Sequence, residues 1–357
     1  MTDWTGENLK LKLLGASHAD FVGAVLSGIK KGEKIDMETV NELVSLRRPN
    51  ASAYSTRRNE PDDFVFESGV DENFVTTGED IVVKIKNNDA KSEDYAKFSG
   101  LVRPSHADYA AYAKYGDNVD LRGGGIFSGR MTAPLCVVGG IALGILKRKN
   151  VSVCAYLNCV GNVKFASYDD ENFVRPDKIA PFATATEPQK KQAEDLFAAL
   201  REEGDSVGGS VECVVSGVPT GTGDAQFGAI ECRLSSILFG IPAVKAVEFG
   251  LGKNFACALG SKVRDEFYYD GDKVKTTTNY NGGINGGISN GMPIALRVTV
   301  KPTPSIAKPC RTIDVKNKKE AILNIPGRHD VCIAPRAVPA VAAAVAIAVL
   351  DLTENNG

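Results

Sequence analysis

Two apolar stretches of the sequence decide the fold: GRMTAPLCVVGGIALGIL at residues 129–146 and AVPAVAAAVAIAVLDL at residues 337–352. Both are apolar on nearly all sides, which is typical of helices that lie in the core of a protein. Their longest uncharged parts, Met131–Leu146 and Ala337–Leu350, are short for a bilayer span, and each contains a proline. We therefore predict two helices that are buried inside a globular protein.

The segments around these stretches predict a mixture of strands and helices, because apolar residues recur with a period of two in some and with helical spacing in others. The predicted strands are Leu9–Leu14, Phe64–Ser68, Ile81–Lys86, Ser210–Ser216, Leu296–Lys301 and Val331–Ile333. The predicted helices are Asp36–Leu46, with Asp36 as its cap, Ser92–Phe98 and Ala229–Leu238. Few regular βαβ units occur, which favours a layered α+β fold over a doubly wound nucleotide-binding fold. No repeat or flexible linker divides the chain, so we expect one continuous domain over residues 1–357.

Composition argues against several classes of function. The chain has 42 basic and 44 acidic residues, a net charge of -2, so no general attraction to nucleic acid or to an anionic membrane is expected. The eight cysteines form no CxxC pair, and no histidine lies near Cys154 and Cys159, the two closest together, which argues against a metal site. We expect buried, reduced thiols in a cytosolic protein. The amino terminus shows no signal-peptide pattern.

The three histidines all lie in polar or glycine-containing segments: His18 in GASHAD, His106 in RPSHADY and His329 in GRHD. A lone histidine is more often structural than catalytic. Three such contexts, two of them with an arginine, make a role in proton transfer near neutral pH as plausible as a structural one.

Arginines and glycine loops form two further signals. Arginines recur in turn-rich segments, where their forked donors suit phosphate and carboxylate groups, although any single arginine is more simply a solvated surface charge. They are Arg47, Arg48, Arg57, Arg58, Arg103, Arg122, Arg130 and Arg328. The glycine loops, at 123–125 and 282–291, allow close backbone approach to a ligand. Neither loop fits a Rossmann or P-loop pattern.

Taken in order, these segments resemble the chorismate synthase family over about residues 10 to 352. The resemblance rests on long motifs in the family's order, and no single motif would suffice. They are RPSHADYAAYAKYG with DLRGGGIFSGRMTAPL, DSVGGSVECVVSGVPTGTG with IPAVKAVEFGLG, GGINGGISNGMPIALRVTVKPTPSI, and GRHDVCIAPRAVPAV.

The resemblance implies a β-α-β sandwich with core helices between antiparallel sheet layers. It implies a lyase that removes phosphate from 5-enolpyruvylshikimate 3-phosphate by anti-1,4 elimination to give chorismate, a step of the shikimate pathway toward aromatic amino acids. Reduced FMN lends electron density to the substrate and recovers it, so the net redox change is zero. Family members are usually homotetramers. Some also reduce their own flavin with NADPH, but a separate flavin reductase is the simpler expectation for this chain.

The resemblance also assigns roles to residues. His106 would protonate the departing phosphate, His18 would hold the flavin in its protonation state, and Asp330 would relay the substrate proton with help from Ser17. His329 would be structural. The implied substrate-binding residues are all arginines: Arg47, Arg48, Arg58, Arg103, Arg130 and Arg328. The implied FMN contacts are Ile126, Phe127, Ser128, Pro242, Ala243, Gly286, Lys301, Pro302, Thr303, Pro304, Ser305 and Arg328.

The chain departs from the family pattern at four positions. The usual GESHG motif is GASHA here, with Ala16 and Ala19 as the changed residues. Ala53 stands where many members have arginine, and Met131 where many have glutamate. These departures leave open a catalytically impaired homologue that binds FMN or a phosphorylated acid. An unrelated flavin oxidoreductase and a nucleic-acid-binding protein are more remote alternatives.

Overall fold

The computed structural model of the chain describes residues 2–48, 61–87, 100–325 and 330–354. The α-helices of this part, numbered along the chain, are α1 (Met37–Arg47), α2 (Asp108–Tyr115), α3 (Thr132–Arg148), α4 (Glu187–Glu203), α5 (Ile230–Leu238) and α6 (Ala334–Thr353).

The two long apolar helices, α3 and α6, pack against each other at the centre of the molecule, as the sequence predicts. Almost every residue of both is buried. Helix α6 begins three residues earlier than expected because Pro335 is accepted in its first turn, where no amide hydrogen bond is lost. By length and composition, Gly129–Arg148 and Ala334–Thr353 could cross a membrane, but 94% and 83% of their most apolar windows lie buried in the protein. They are core helices.

Two antiparallel five-stranded sheets enclose these helices. The first has the order β1-β2-β3-β5-β4, and its strands are β1 (Thr2–Thr5), β2 (Lys10–Gly15), β3 (Phe21–Ser27), β4 (Phe64–Ser68) and β5 (Ile81–Lys86). The second has the order β7-β6-β8-β14-β9, and its strands are β6 (Ser152–Val160), β7 (Val163–Lys164), β8 (Gly209–Ser216), β9 (Val244–Phe249) and β14 (Ile294–Val300). Three hairpins are separate from the sheets: β10 (Phe267–Asp270) with β11 (Lys273–Thr276), β12 (Ile284–Asn285) with β13 (Ile288–Ser289), and β15 (Cys310–Asp314) with β16 (Lys319–Leu323).

Helices α3 and α6 lie between the two sheets. Helix α3 packs against β3 and β5 of the first sheet, and α6 packs against β6, β8 and β14 of the second. The predicted α+β class, with core helices between antiparallel layers, is therefore confirmed. One hydrophobic cluster includes residues of both sheets and of both helices. This shared core supports the expectation of one continuous domain, which stays a prediction.

The short predicted elements have mixed outcomes. Most appear within one or two residues of their expected bounds, and the side chain of Asp36 caps α1 by accepting from the amide of Thr39. The prediction of a strand at Val331–Ile333 is wrong. Val331 and Cys332 are buried, and the segment leads directly into α6. The carbonyl of Val331 accepts from the amide of Val207, and the carbonyl of Ile333 accepts from the amide of Ala337 in the first turn of α6. The helix predicted at Ser92–Phe98 lies outside the described residues.

The cysteines confirm only part of the expectation of buried thiols. All eight are free thiols, but only Cys136, Cys154, Cys213 and Cys332 are buried. Cys159 and Cys310 are half-buried, and Cys232 and Cys257 are exposed.

The contact between α3 and α6 depends on a missing side chain. A Cβ added at Gly139 of α3 would stand 2.3 Å from the Cβ of Ala343 in α6 and 2.5 Å from its Cα. We expect Gly139→Ala to lower the free energy of unfolding by about 1–3 kcal/mol, despite the higher helix propensity of alanine, because the two helix backbones must separate. Urea denaturation measures this loss. Gly144→Ala on the same helix is the control, since its Cβ would stand 3.1 Å from a side-chain atom of Asp36 and should cost less.

Candidate active site

A cavity of about 540 Å³ opens where α3 and α6 both begin. This volume lies in the range of small-molecule binding sites. The walls come from chain segments far apart in sequence: the end of α1, the turn before α2, the glycine loop before α3, the turn after α5, the segment after β14 and the start of α6. Because the amino-terminal ends of two long helices meet here, their partial positive charges favour an anionic ligand.

The side chains that line the cavity are strongly basic. Among the lining residues that the structure describes, six are cationic and one, Asp330, is a carboxylate. The cationic residues are Arg47, Arg103, Arg130, Lys245, Lys301 and Arg336. Since the whole chain carries a net charge of -2, positive charge is concentrated at this site. The cavity therefore suits a small molecule that carries several negative charges.

The glycine loop before α3 lies between the two predicted catalytic histidines, His18 and His106. Gly123, Gly124 and Gly125 all have positive φ, of 57°, 93° and 54°, which favours glycine over any residue with a side chain. A Cβ at Gly123 would stand 2.1 Å from Cε1 of His18, and a Cβ at Gly124 would stand 3.3 Å from Nε2 of His106. The two imidazole rings therefore lie against neighbouring residues of one loop, with no room for a side chain at Gly123.

His106 belongs to a compact charged cluster. Its Nδ1 lies 2.9 Å from Oδ1 of Asp108, and Arg103 contacts the same carboxylate through Nε and one terminal nitrogen, both at 2.7 Å. His106 and Arg103 line the cavity, while Asp108 is buried behind them. Burial alone would raise the pKa of Asp108, but its hydrogen bonds with Arg103 and His106 hold that pKa well below its usual range. Asp108 is thus an ionised acceptor at neutral pH.

Arg47 and Arg130 share a second buried carboxylate. Asp62 accepts from Arg47 at 2.7 Å through one oxygen and from Arg130 through the other. Arg47 also donates to the carbonyl of Gly129 and to Thr132, so the end of α1 is tied to the start of α3. Burial would raise the pKa of Asp62, but the two guanidinium groups lower it below its usual value. This trio retains one net positive charge beside the cavity.

Asn87 connects the turn of the GASHA motif to the Arg130 side of the site. Its Nδ2 donates to the carbonyls of Ala16 and Ala19, and its Oδ1 accepts from Nε of Arg130 at 3.0 Å. The amide of Ser17 also donates to the carbonyl of Gly125. The turn that carries Ser17 and His18 is therefore held by hydrogen bonds to its backbone atoms. These bonds do not depend on the side chain at residue 16. Met131, the other departure within the described residues, packs in the hydrophobic core.

The opposite wall holds Lys245, Lys301 and an ion pair between Asp330 and Arg336. Lys301 donates to the carbonyl of Ser105, and burial together with the charge of Lys245 lowers the pKa of the Lys301 ammonium. Asp330 forms an ion pair with Arg336 at 2.7 Å. The Nε of Arg336 in turn donates to the carbonyl of Arg47. An anion in the cavity would relieve the repulsion between the two ammonium groups.

The structure brings together most of the predicted site residues. Those that line the cavity are Arg47, Arg103, His106, Ile126, Phe127, Ser128, Arg130, Pro242, Ala243, Lys301, Thr303, Pro304, Ser305 and Asp330. Ser17 and His18 lie directly behind Gly123, which itself lines the cavity. Ala53, Arg57, Arg58, Arg328 and His329 lie outside the described residues.

Three predicted contacts do not line the cavity. Arg48 follows Arg47 at the end of α1 and lies 3.9 Å from Asp63 instead. Pro302 is exposed between two lining residues. Gly286 is an exposed residue of the turn between β12 and β13, and the carbonyl of the next residue, Gly287, accepts from the amide of Ile230 at the start of α5. The cavity touches the residues that follow the last turn of α5, and Gly286 is not among its lining residues.

Sequence reasoning missed the carboxylates that hold the site and two of its cations: Asp62, Asp108, Lys245 and Arg336. Asp108 stands only two residues after His106, so the HAD spacing was an available signal. Asp62 and its partner Arg130 are 68 residues apart, and no local pattern joins them.

Comparison with known proteins identifies the family. The family model described as chorismate synthase matches residues 9–353. The chain belongs to the chorismate synthase family. A chorismate synthase of Dehalococcoides mccartyi is 39% identical, with 100% of this chain and 98% of that protein covered. One of Pyrococcus abyssi is 42% identical, with coverages of 97% and 96%. A crystal structure of chorismate synthase matches with a TM-score of 0.75 and 25% identity, covering 99% of this chain and 93% of that one.

Membership of the chorismate synthase family makes the chain a lyase that acts on a small molecule and belongs to a flavin-dependent group of enzymes. The cavity fits a flavin chemically. Ile126, Phe127 and Pro242 supply apolar surface for a ring system, while the basic side chains suit a phosphate group. In addition, the buried hydroxyl of Thr303 has no hydrogen-bond partner within the described residues. A buried polar atom of this kind is expected to receive a partner from a bound ligand.

Proposed function

We propose that the chain converts 5-enolpyruvylshikimate 3-phosphate to chorismate by anti-1,4 elimination of phosphate, with reduced FMN as its cofactor and no net redox change. The observation that carries this proposal is the cavity at the start of two core helices, whose described lining has six cationic side chains and one carboxylate. The substrate has two carboxylates and a phosphate, so it needs this excess of positive charge. A shared cavity for substrate and flavin accounts for walls that are basic in one part and apolar in another.

The guanidinium groups of the cavity bind the substrate. Arg47 and Arg130 are fixed by Asp62, and Arg103 is fixed by Asp108, so these cations meet the substrate with little loss of side-chain entropy. We also include Arg336, which the sequence did not suggest, because it lines the cavity beside Asp330. Arg48, Arg58 and Arg328 stay predictions.

Two groups move protons in the proposed reaction. His106 protonates the phosphate as it leaves or holds it as the monoanion, since its ring lines the cavity beside Arg103. Asp330 takes up the proton that the substrate loses, because it is the carboxylate found among the described lining residues. Ser17 and His18 lie behind Gly123, on the other side of the glycine loop. Ser17 assists the relay of the substrate proton, and His18 holds the flavin in its protonation state. Each such acid–base role is typically worth about 10²–10⁴-fold in rate.

Reduced FMN, when bound, supplies electron density that the substrate uses transiently and then returns. The residues we assign to its binding are Ile126, Phe127, Ser128, Pro242, Ala243, Lys301, Thr303, Pro304 and Ser305. Pro302, Gly286 and Arg328 stay predictions for this role. Lys301 offers a cation, and Thr303 and Ser305 offer hydroxyls, which together match a phosphorylated and partly apolar cofactor.

The wider context of the proposal follows the family. We propose one domain, a cytoplasmic homotetramer, a place in the shikimate pathway to aromatic amino acids, and reduction of the flavin by a separate reductase rather than by NADPH bound to this chain. Near-neutral overall charge argues against nucleic acid as a partner.

An anaerobic assay tests the proposal. With reduced FMN and 5-enolpyruvylshikimate 3-phosphate, we expect chorismate and inorganic phosphate in equal amounts and no steady consumption of reductant. In a flavin titration, we expect the substrate to tighten FMN binding, because both ligands share one cavity. Flavin binding without chorismate would favour the impaired homologue. NAD(P)H consumption in proportion to product would favour a flavin oxidoreductase.

A further inference from the structure

We propose that Asp108 is a positioning residue that keeps a proton on Nδ1 of His106, so that His106 exchanges protons only through Nε2, and that the same carboxylate aligns Arg103. The role of His106 in turnover rests on the proposed function. The assignment of Asp108 rests on the geometry of the cluster, so it applies to the ligand-free protein and can be tested there.

The carboxylate of Asp108 is fully engaged by the two residues it would position. It accepts from Nε of Arg103, from a terminal nitrogen of Arg103 and from the backbone amide of Arg103, at 2.7, 2.7 and 2.9 Å. Nδ1 of His106 is its fourth partner, at 2.9 Å. The side chain of Asp108 is only 6% exposed, so water does not compete for these contacts. An Asp in this position holds two cavity-lining side chains with one group.

The direction of the hydrogen bond with His106 follows from the charge state of Asp108. Its pKa is held well below the usual range, mainly by hydrogen bonds from Arg103 that outweigh the effect of burial. An ionised carboxylate can only accept, so the proton between Asp108 and His106 belongs to Nδ1 of the imidazole. The neutral ring is therefore the Nδ1–H tautomer, and Nε2 is the atom that gains or loses a proton.

Nε2 of His106 lies beside the glycine loop that precedes α3. A Cβ at Gly124 would stand 3.3 Å from Nε2 of His106 and 3.4 Å from Cβ of Ser128. Both His106 and Ser128 line the cavity. The ring thus presents Nδ1 to the buried carboxylate and Nε2 to the glycine loop, and its side chain lines the cavity.

The turn that carries His106 needs such a restraint. Ser105 has a φ of 60°, a left-handed conformation that costs energy for a residue other than glycine. Helix α2 starts at Asp108 without a side-chain cap. The charged groups that the structure describes around the turn are Arg103 and Asp108 within it and Lys301, which donates to the carbonyl of Ser105. Beyond the glycine loop are His18 and the ion pair of Arg122 with Asp120. Among these, Asp108 is the acceptor that contacts the imidazole.

Nitrogen NMR of the ligand-free protein tests the tautomer. The chain has three histidines, so comparison with His106→Ala assigns the His106 ring in the spectrum of ¹⁵N-labelled protein. We expect Nδ1 to be protonated in both charge states of wild type. In Asp108→Asn the neutral ring should change to a mixture that contains the Nε2–H tautomer. Asp117→Asn, at a carboxylate that is 77% exposed, is the matched control and should leave the spectrum unchanged. A wild-type ring with Nε2–H as its neutral form would overturn the assignment.

A double-mutant cycle tests the effect on turnover. When His106 is present, Asp108→Asn should lower kcat by about 10²-fold, because His106 is misplaced. In the His106→Ala background it should have almost no effect on kcat, while KM still rises because Arg103 is misaligned. An equal loss of kcat in both backgrounds would show that Asp108 does not act through His106. If the enzyme makes no chorismate at all, the proposed function fails while the NMR result still decides the role of Asp108.

Discussion

Replacement of His106 by alanine is expected to lower kcat for chorismate formation by about 10²–10⁴-fold, the usual contribution of a positioned general acid. The imidazole lines the cavity, and no other histidine of the described residues does so. The nearby cations are engaged elsewhere, Arg103 with Asp108 and Lys301 with the carbonyl of Ser105. Anaerobic turnover with reduced FMN, followed as chorismate and phosphate, measures the loss.

The same substitution should leave the fold intact. The His106 side chain lies at the wall of an open cavity rather than in the hydrophobic core, so its removal enlarges the cavity without leaving a closed void. Asp108 keeps its contacts with Arg103. We expect an unchanged melting temperature and retained FMN binding. Tyr109→Ala, at a side chain of α2 that is 59% exposed, serves as the control and should turn over like wild type. Turnover of His106→Ala at the wild-type rate would reject the role of this histidine.

Replacement of Asp62 by alanine is expected to lower the free energy of unfolding by about 3–5 kcal/mol, because it leaves two buried guanidinium groups without their shared counter-charge. The Arg47 and Arg130 side chains are only 3% and 6% exposed, so water cannot replace the carboxylate. The tie between the end of α1 and the start of α3 should loosen as well. Urea denaturation measures the loss of stability, and substrate KM should rise in the protein that remains folded.

Asp63→Ala is the matched control for Asp62→Ala. Asp63 is the next residue along the chain, but its side chain is 84% exposed and lies 3.9 Å from Arg48. Exposed ion pairs contribute little, so we expect a change within about 0.5 kcal/mol. If the two substitutions had equal effects, the buried trio would not be a significant source of stability.

The effect of Asp62 should also depend on pH in a defined direction. Its pKa is lower in the folded protein than in the unfolded chain, so its stabilising contribution is complete above the unfolded value, about 3.9, and decreases as pH falls further. The difference in unfolding free energy between wild type and Asp62→Ala should therefore be constant from neutral pH to about pH 5 and shrink below about pH 4. A difference that grew in acid would contradict an ionised Asp62 in the folded protein.

Local patterns predicted most of the fold. The core helices, the cap at Asp36 and most strands follow from periodicity and capping chemistry, which act over a few residues. The wrong strand at Val331–Ile333 shows where this reasoning ends. A short run of apolar residues indicates that the segment is buried. Whether the segment pairs in a sheet depends on a neighbouring strand, which the run itself does not specify.

The amino-acid sequence by itself determined the type of residue at the site: histidines and arginines in turns, glycines where a side chain would collide, and apolar stretches for the core. Tertiary structure alone decided which of these residues meet. It paired Arg47 and Arg130 with Asp62, and it left Gly286 outside the residues that line the cavity. The physical reason is that residue type and periodicity are local properties, whereas the pairing of buried charges depends on which distant segments the packed helices and sheets bring within a few ångströms.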